Sequence, residues 1–273
     1  MKYLIFGLIL LLFFPLYWMF TGSIQPSAGI LKIPPNWIPR NVTLSNFTEL
    51  IKGTQTFRWT FNTLIINTFL LSLQLFCLVT ASYAFAMYRF IGKRLIYWIF
   101  IASIIVPWQS IIVSRFVLMR HLHLINTWLA IICISAFNPV GVVLIKNYFD
   151  KIPRTIIDSA RIDGADELWI LFKIVLPQCK PILGYIAITS YILAFQEFFW
   201  PMLVLHEKRL FTLPLGIMYY LKTYASTHGW INVQRVIGLQ LAGSVLLFLP
   251  VIFIFLIFRK TFQQQFVGEG IKE

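Results

Sequence analysis

Trp59–Tyr88, WTFNTLIINTFLLSLQLFCLVTASYAFAMY, runs through thirty residues without a charged side chain. A hydrocarbon layer of about 30 Å is crossed by a helix of about 17 to 25 apolar residues. Lipid offers backbone N–H and C=O groups no partners, so a buried run of this length must satisfy them internally, as a helix. Five further runs are uncharged or nearly so: Tyr3–Phe20, Leu95–Ser114, Leu124–Ile145, Pro181–Leu205 and Val236–Phe258. The reading is an all-α integral membrane protein with six transmembrane helices. It forms a single domain, 1–273, with a core over roughly 59–258 and a preceding helix over 3–20. Composition agrees: only 12% of residues are charged, against roughly 25% in soluble domains. Phe211–Leu221 is apolar but too short to span, and reads as interfacial or re-entrant.

The first run has the single Lys and apolar stretch of a signal peptide. It is long, however, ends in Tyr17 and Trp18, and shows no clear small-x-small cleavage site, so it reads as a retained helix. The short connections set the orientation. Arg89, Lys93 and Arg94 flank a six-residue link, and Arg259 and Lys260 follow the last run, which puts both segments in the cytoplasm. Six spans then place both termini inside and loops 21–58, 115–123 and 206–235 outside. Of the 23 basic residues, 13 fall inside, a weak bias. The net charge of +13 suits anionic lipid headgroups, and nucleic acid is not expected without a soluble basic domain.

Several chemistries lack their residues. Cys77, Cys133 and Cys179 form no CxxC pair, and the four histidines show no HExxH spacing. His121-x-His123 supplies half a metal site, so no metal is expected. No phosphate-binding G-x-x-x-x-G-K-[ST] loop occurs, so the chain binds no ATP in that way. Asn41-Val-Thr43 and Asn46-Phe-Thr48 match the glycosylation triplet, which chance often produces.

The long polar segment is Pro153–Pro177, PRTIIDSARIDGADELWILFKIVLP, within a loop over 147–180. Pro153 suits a first helical turn. Ile156, Ser159 and Ala160 share one helix face with Ile152, flanked by Asp158 and Arg161. Gly164 permits the left-handed backbone of a sharp turn. Asp163 is placed to cap the next helix, with Asp166 and Glu167 near its positive end. Leu168, Leu171, Phe172, Val175 and Leu176 then form an amphipathic stripe. Periodicity leaves two readings open: a helix–turn–helix that docks a soluble partner, or a solvated loop on the membrane surface.

Asp158-Ser159-Ala160, Asp163-Gly164-Ala165 and Ile174-Val175-Leu176-Pro177 resemble the "EAA" loop of bacterial ABC-importer membrane subunits. That pattern reads Glu-Ala-Ala, then Gly, then Ile-x-Leu-Pro; here Asp158 stands for Glu and Ser159 for the first Ala. The likeness extends to Pro34-Pro35-Asn36-Trp37-Ile38-Pro39, Asn62-Thr63-Leu64, and Tyr83-Ala84-Phe85-Ala86 with Arg89-Phe90. It also takes in Pro107, Asn126-Thr127, and the tail from Arg259-Lys260-Thr261-Phe262 through Gly268, Gly270 and Lys272. The chain is most similar to the carbohydrate-uptake group, and within it to the smaller maltose-transporter membrane subunit.

The resemblance implies a permease of the bacterial cytoplasmic membrane with a cytoplasmic coupling-helix loop between its fourth and fifth spans. It implies a heterodimer with a second permease subunit, two copies of a cytosolic ABC ATPase, and an extracytoplasmic sugar-binding protein. ATP and Mg would be used by the ATPase, with no cofactor on this chain. The docking residues would be Asp158, Ser159, Ala160, Asp163, Gly164, Leu176 and Pro177. The family often has Trp-Asn-Asp/Glu-Phe where this chain has Phe195-Gln196-Glu197-Phe198.

Glu197 is the one acid inside a predicted span. Burying it at a bilayer centre costs about 2.5 to 3.5 kcal/mol on insertion scales, so it should face a wet or paired interior. Phe195, Gln196, Glu197, Trp200 and Asn67 are candidates for the translocation path; the competing reading pairs Glu197 structurally with a neighbouring helix or sets it at the outer membrane surface. Asn62, Asn67 and Gln74 either line the path or form interhelical hydrogen bonds; Trp59, Trp128 and Trp200 read as interfacial anchors. An ion-coupled carrier would place paired charges or broken helices near the midplane and show internal repeats. No repeat is evident. An intramembrane enzyme would need convergent His, Asp, Cys or Ser groups, which the spans lack. A permease for polyamine, phosphate or glycerol phosphate is the alternative within the importer class.

Overall fold

The computed structural model describes residues 2–32, 36–228 and 233–267. Pro34, Pro35, Gly268, Gly270 and Lys272 lie outside the described residues. The α-helices are, in order, α1 (Lys2–Ser23), α2 (Ser27–Ile30), α3 (Ser45–Gly53), α4 (Thr56–Met87) and α5 (Lys93–Ile105). There follow α6 (Ile112–His121), α7 (Leu129–Ser135), α8 (Pro139–Phe149), α9 (Arg154–Ile162) and α10 (Glu167–Trp169). A π-helical segment, Ile170–Val175, joins α10 to α11 (Leu176–Gln178). The last are α12 (Lys180–Gln196), α13 (Phe199–Val204), α14 (Leu213–His228) and α15 (Val233–Val267). No strand occurs among the described residues.

Among the described residues three helices are by themselves long and apolar enough to cross a membrane: Ile5–Ser23 of α1, all of α4, and Val233–Ile257 of α15. Three bent pairs bring the possible crossings to six: α5 with Trp108–His121 at 103°, α7 with α8 at 46°, and Glu167–Gln178 with α12 at 80°.

Several runs expected to be straight are therefore broken, and proline accounts for the breaks. Pro107 drives Val106 out of the helical region, to φ −72° and ψ 117°, which ends α5 within the run Leu95–Ser114. Pro139 opens α8, where its missing N–H costs nothing, and the Asn138 side chain accepts from Gly141 N at 2.9 Å. Pro181 sits in the first turn of α12. The run Pro181–Leu205 is not one helix either. It stops at Gln196 and restarts at Phe199. Pro201 has no N–H to give a carbonyl at position 197, so a continuous helix would lose a bond there.

The described chain falls into two compact units. One comprises Met1–Thr63, Gln196–Met202 and His206–Phe253. Leu50 of α3 packs there with Leu239 and Ala242 of α15, beside Phe47, Tyr220 and Leu246. Asn46 is buried and donates to the carbonyls of Ser23 (2.9 Å) and Gln25 (3.0 Å), so this glycosylation triplet is spent on structure. Arg235 pairs with Glu49 and donates to Ser27 Oγ and Asn46 Oδ1. Trp59 is buried rather than displayed at an interface, and its Nε1 donates to the Lys208 carbonyl at 2.8 Å. Asn62 Nδ2 donates to the carbonyls of Arg209 and Phe211, and Thr63 Oγ1 accepts from Leu213 N. The hydrogen-bonding reading of Asn62 therefore holds.

The second unit comprises Leu64–Phe195, Leu203–Leu205 and Ile254–Glu273. Its core joins Leu78, Phe85 and Met87 of α4 to Ile145 and Phe149 of α8 and to Ile182 and Ile186 of α12. Ile157, Ala160, Ile170 and Val175 of the polar segment enter the same core.

Candidate functional site

The polar segment is anchored on one side and open on the other. In α9 the buried residues are Ile157 and Ala160, one turn apart. The face read from sequence as Ile156, Ser159 and Ala160 is thus split, because Ile156 and Ser159 are exposed. The rotation places Asp158 and Ser159 outward.

The turn at Gly164 has a defined chemistry. Gly164 has φ +84°. Ala165 N donates to the Ala160 carbonyl at 2.9 Å and Gly164 N to the Arg161 carbonyl at 3.1 Å. These are the two bonds of a Schellman C-cap, which needs a left-handed residue at the first position past the cap. Asp163 is that C-cap, not the cap of the next helix. Asp166 takes the latter role, accepting from Trp169 N at 2.9 Å.

The stripe after Gly164 also differs from a 3.6-residue reading. Ile170, Leu171 and Val175 are buried, whereas Leu168 and Phe172 are 64% and 60% exposed. The π-helical register puts residues five apart in line, so Ile170 and Val175 share the inward face. Leu176 is partly buried against the core and Pro177 is exposed.

One arginine and one glutamate fasten the segment to the end of α4, and a second arginine braces the glutamate. Arg154 Nη2 donates to the Ala86 carbonyl at 2.6 Å and Nη1 to the Met87 carbonyl at 3.4 Å. A cation at these free carbonyls also suits the negative end of the helix dipole. Tyr83 Oη donates to Glu167 Oε2 at 2.7 Å, and Arg161 Nε donates to Glu167 Oε1 at 2.9 Å. Arg161 also reaches Asp158 at 3.3 Å. Burial pushes the Glu167 carboxyl up, but the bonds from Tyr83 and Arg161 and the guanidinium charge outweigh it and hold it below its ordinary value. Tyr83 and Glu167 stand 84 residues apart in the chain, a pairing that no local period reveals.

The open side is a cleft of about 890 Å³. Ile156, Ser159, Ala160, Asp163, Gly164 and Trp169 line it. A Cβ at Gly164 would meet no atom of the chain within 4 Å. Exposed Ile162, Leu168, Trp169 and Phe172 give the segment a larger apolar surface than a solvated loop needs.

The candidate path residues are placed differently from one another. Phe195 and Trp200 are buried, Gln196 is exposed and Glu197 is half-buried. Glu197 Oε1 accepts from Phe199 N at 2.8 Å and Trp200 N at 3.1 Å, capping α13. The acid thus lies at a helix break, not inside a continuous span. Asn67 and Gln74 are buried at i and i+7 of α4, and Asn67 Nδ2 and Gln74 Oε1 have no hydrogen-bond partner among the described residues. Among the described residues no cluster of three His, Cys, Asp or Glu could hold a metal ion.

The family described as "Binding-protein-dependent transport system inner membrane component" matches residues 77–267. This chain belongs to that family. The permease is 33% identical to the arabinooligosaccharides transport system permease protein AraQ of Bacillus subtilis, over 96% of this chain and 92% of that protein. It is 29% identical to the galactooligosaccharides transport system permease protein GanQ of the same organism, over 98% and 95% of the two chains. It is also 29% identical to the maltodextrin transport system permease protein MdxG, again of Bacillus subtilis, over 84% and 81%. A bacterial ABC transporter involved in the import of the acidic polysaccharide alginate has a chain that superposes with a TM-score of 0.80 at 24% identity, covering 95% of this chain and 94% of that one. The permease therefore has the all-α fold of an ABC-importer membrane component, and its role is in transport.

Proposed function

We propose that this permease is one membrane half of an ATP-driven importer for a sugar or oligosaccharide. It works by alternating access beside a second permease, in six crossings with both termini in the cytoplasm. Two copies of a cytosolic ABC ATPase hydrolyse Mg-ATP beneath the pair, and an extracytoplasmic sugar-binding protein delivers substrate above. The observation that carries the mechanism is the cleft around Ser159, Ala160 and Gly164 on a segment bonded to α4 through Arg154 and Glu167. An ATPase surface seated there moves a rigid body: pulling on α9 pulls the last turn of α4. Nucleotide and sugar must each favour one of two states for such a shift to drive uptake. The oligosaccharide transport named for AraQ, GanQ and MdxG supports the substrate class.

The test is stepwise reconstitution in liposomes, adding the second permease, the ATPase and the binding protein one at a time. ATP-dependent oligosaccharide uptake should appear only with all four. Uptake by this chain alone on a proton or sodium gradient would refute the reading.

A further inference from the structure

The second unit holds another cleft, of about 560 Å³, which the docking role leaves unused. Arg89, Lys93 and Arg94 converge on it from the α4–α5 link and the start of α5, and Lys146 closes it from α8. Phe90 and Tyr97 complete the lining. Two of the four cations are positioned by the protein itself. Lys93 Nζ donates to the Tyr88 carbonyl at 2.9 Å. Lys146 pairs with Asp150 at 2.5 Å and lies 5.1 Å from the Tyr97 ring centroid. The guanidiniums of Arg89 and Arg94 meet no carboxylate among the described residues. One carboxylate, Asp150, thus stands against four cations.

Topology-setting charge accounts for the sign of all four residues, since Lys146 also follows a span on the cytoplasmic side of the proposed orientation. It does not account for two helices, α5 and α8, bringing them to one open cleft beside a single carboxylate. Four cations against one carboxylate call for a further anion, and the surroundings point to its kind. Ile91 at the tip of the link is fully exposed, and Leu95 and Trp98 are exposed on the first turns of α5. Cations at headgroup depth next to an apolar and aromatic fringe match an acylated phosphate better than a free ion.

We propose that this cleft binds the phosphate of an anionic phospholipid headgroup. The assignment rests on the proposed orientation, with the 89–94 link at the cytoplasmic surface.

The test is native mass spectrometry of the full chain in detergent, titrated with phosphatidylglycerol, phosphatidylcholine or inorganic phosphate. Lys146→Gln should weaken phosphatidylglycerol binding about fivefold, and Arg89→Gln with Arg94→Gln about 25-fold, the effect of one and two basic residues at an anionic surface. Phosphatidylcholine binding and the melting temperature should not change. Equal phosphatidylglycerol affinity in all variants would overturn the site. Displacement of the lipid by equimolar inorganic phosphate would overturn the lipid assignment. Separately, Ile91→Cys in cells should react with an impermeant thiol reagent only from the cytoplasmic side. Reaction from outside would overturn the orientation alone, because the detergent titration reads the cleft whichever side it faces.

Discussion

Replacing Gly164 separates what the turn requires from what a docked partner requires. Gly164 sits at φ +84°, and no atom lies within 4 Å of the point where a methyl group would stand. Gly164→Ala therefore carries backbone strain and no clash within the chain. An L-residue in the left-handed region costs about 1 to 2 kcal/mol, a factor of about 5 to 30 in the ratio of turned to opened segment. Asn enters that region more readily, so Gly164→Asn should keep the turn while adding a side chain to the open cleft. Hydrogen exchange at Ala165 N–H, which bonds the Ala160 carbonyl, reads the turn directly. Its exchange should quicken about 5- to 30-fold in Gly164→Ala and change little in Gly164→Asn. Capture of the ATPase from the native membrane by the tagged chain reads docking. Both variants should lose capture, Gly164→Asn with its turn intact. Unchanged exchange and unchanged capture in Gly164→Ala would refute the Schellman turn and the docking role together.

The Glu167 carboxyl is held below its ordinary value of 4.5, so its contribution is complete above about that pH. It is lost as pH falls through the lower folded value, and an acid titration of protease resistance at Arg161 should follow it in wild type and not in Glu167→Gln. Tyr83→Phe should cost about 0.5 to 1.5 kcal/mol in thermal unfolding, the bond to Glu167 being partly screened. Glu197→Ala removes the cap of α13 and should cost about 1 kcal/mol by the same measurement. Gln196→Cys should react with aqueous thiol reagents in a nucleotide-dependent way; reactivity no greater than that of a lipid-facing control cysteine would remove it from the path. Gly216→Ala would press a methyl into the Trp59 ring, whose Nε1 is held by the Lys208 carbonyl, and should cost about 1 to 3 kcal/mol.

The limits of sequence reading here follow from what each signal averages over. Apolar length marks where lipid must be met, and α1, α4 and α15 answer it directly. The same measure cannot see a bend, because Leu95–Ser114 stays apolar while its chain turns by 103° after Ile105. The information was present as Pro107, Pro139 and Pro201, residues whose effect on the backbone is local and strong. Helical period failed where the helix is not of the α type: a stripe counted at 3.6 residues exposes Phe172, and five-residue spacing buries Ile170 with Val175. Gly164 was legible because one backbone angle decides it.

Long-range polar pairing was the least legible layer, and at the proposed docking segment it matters most. Nothing in the local pattern of Arg154, Arg161 and Glu167 shows that the fold brings the end of α4 to them. Arg154 on the Ala86 carbonyl and Tyr83 on Glu167 attach opposite ends of one short helix–turn–helix to α4. Two attachments to the same end of α4 prevent rotation about either one. A force applied at Ser159 or Gly164 is then delivered to α4 as displacement, which is what coupling between a cytoplasmic motor and a membrane helix demands.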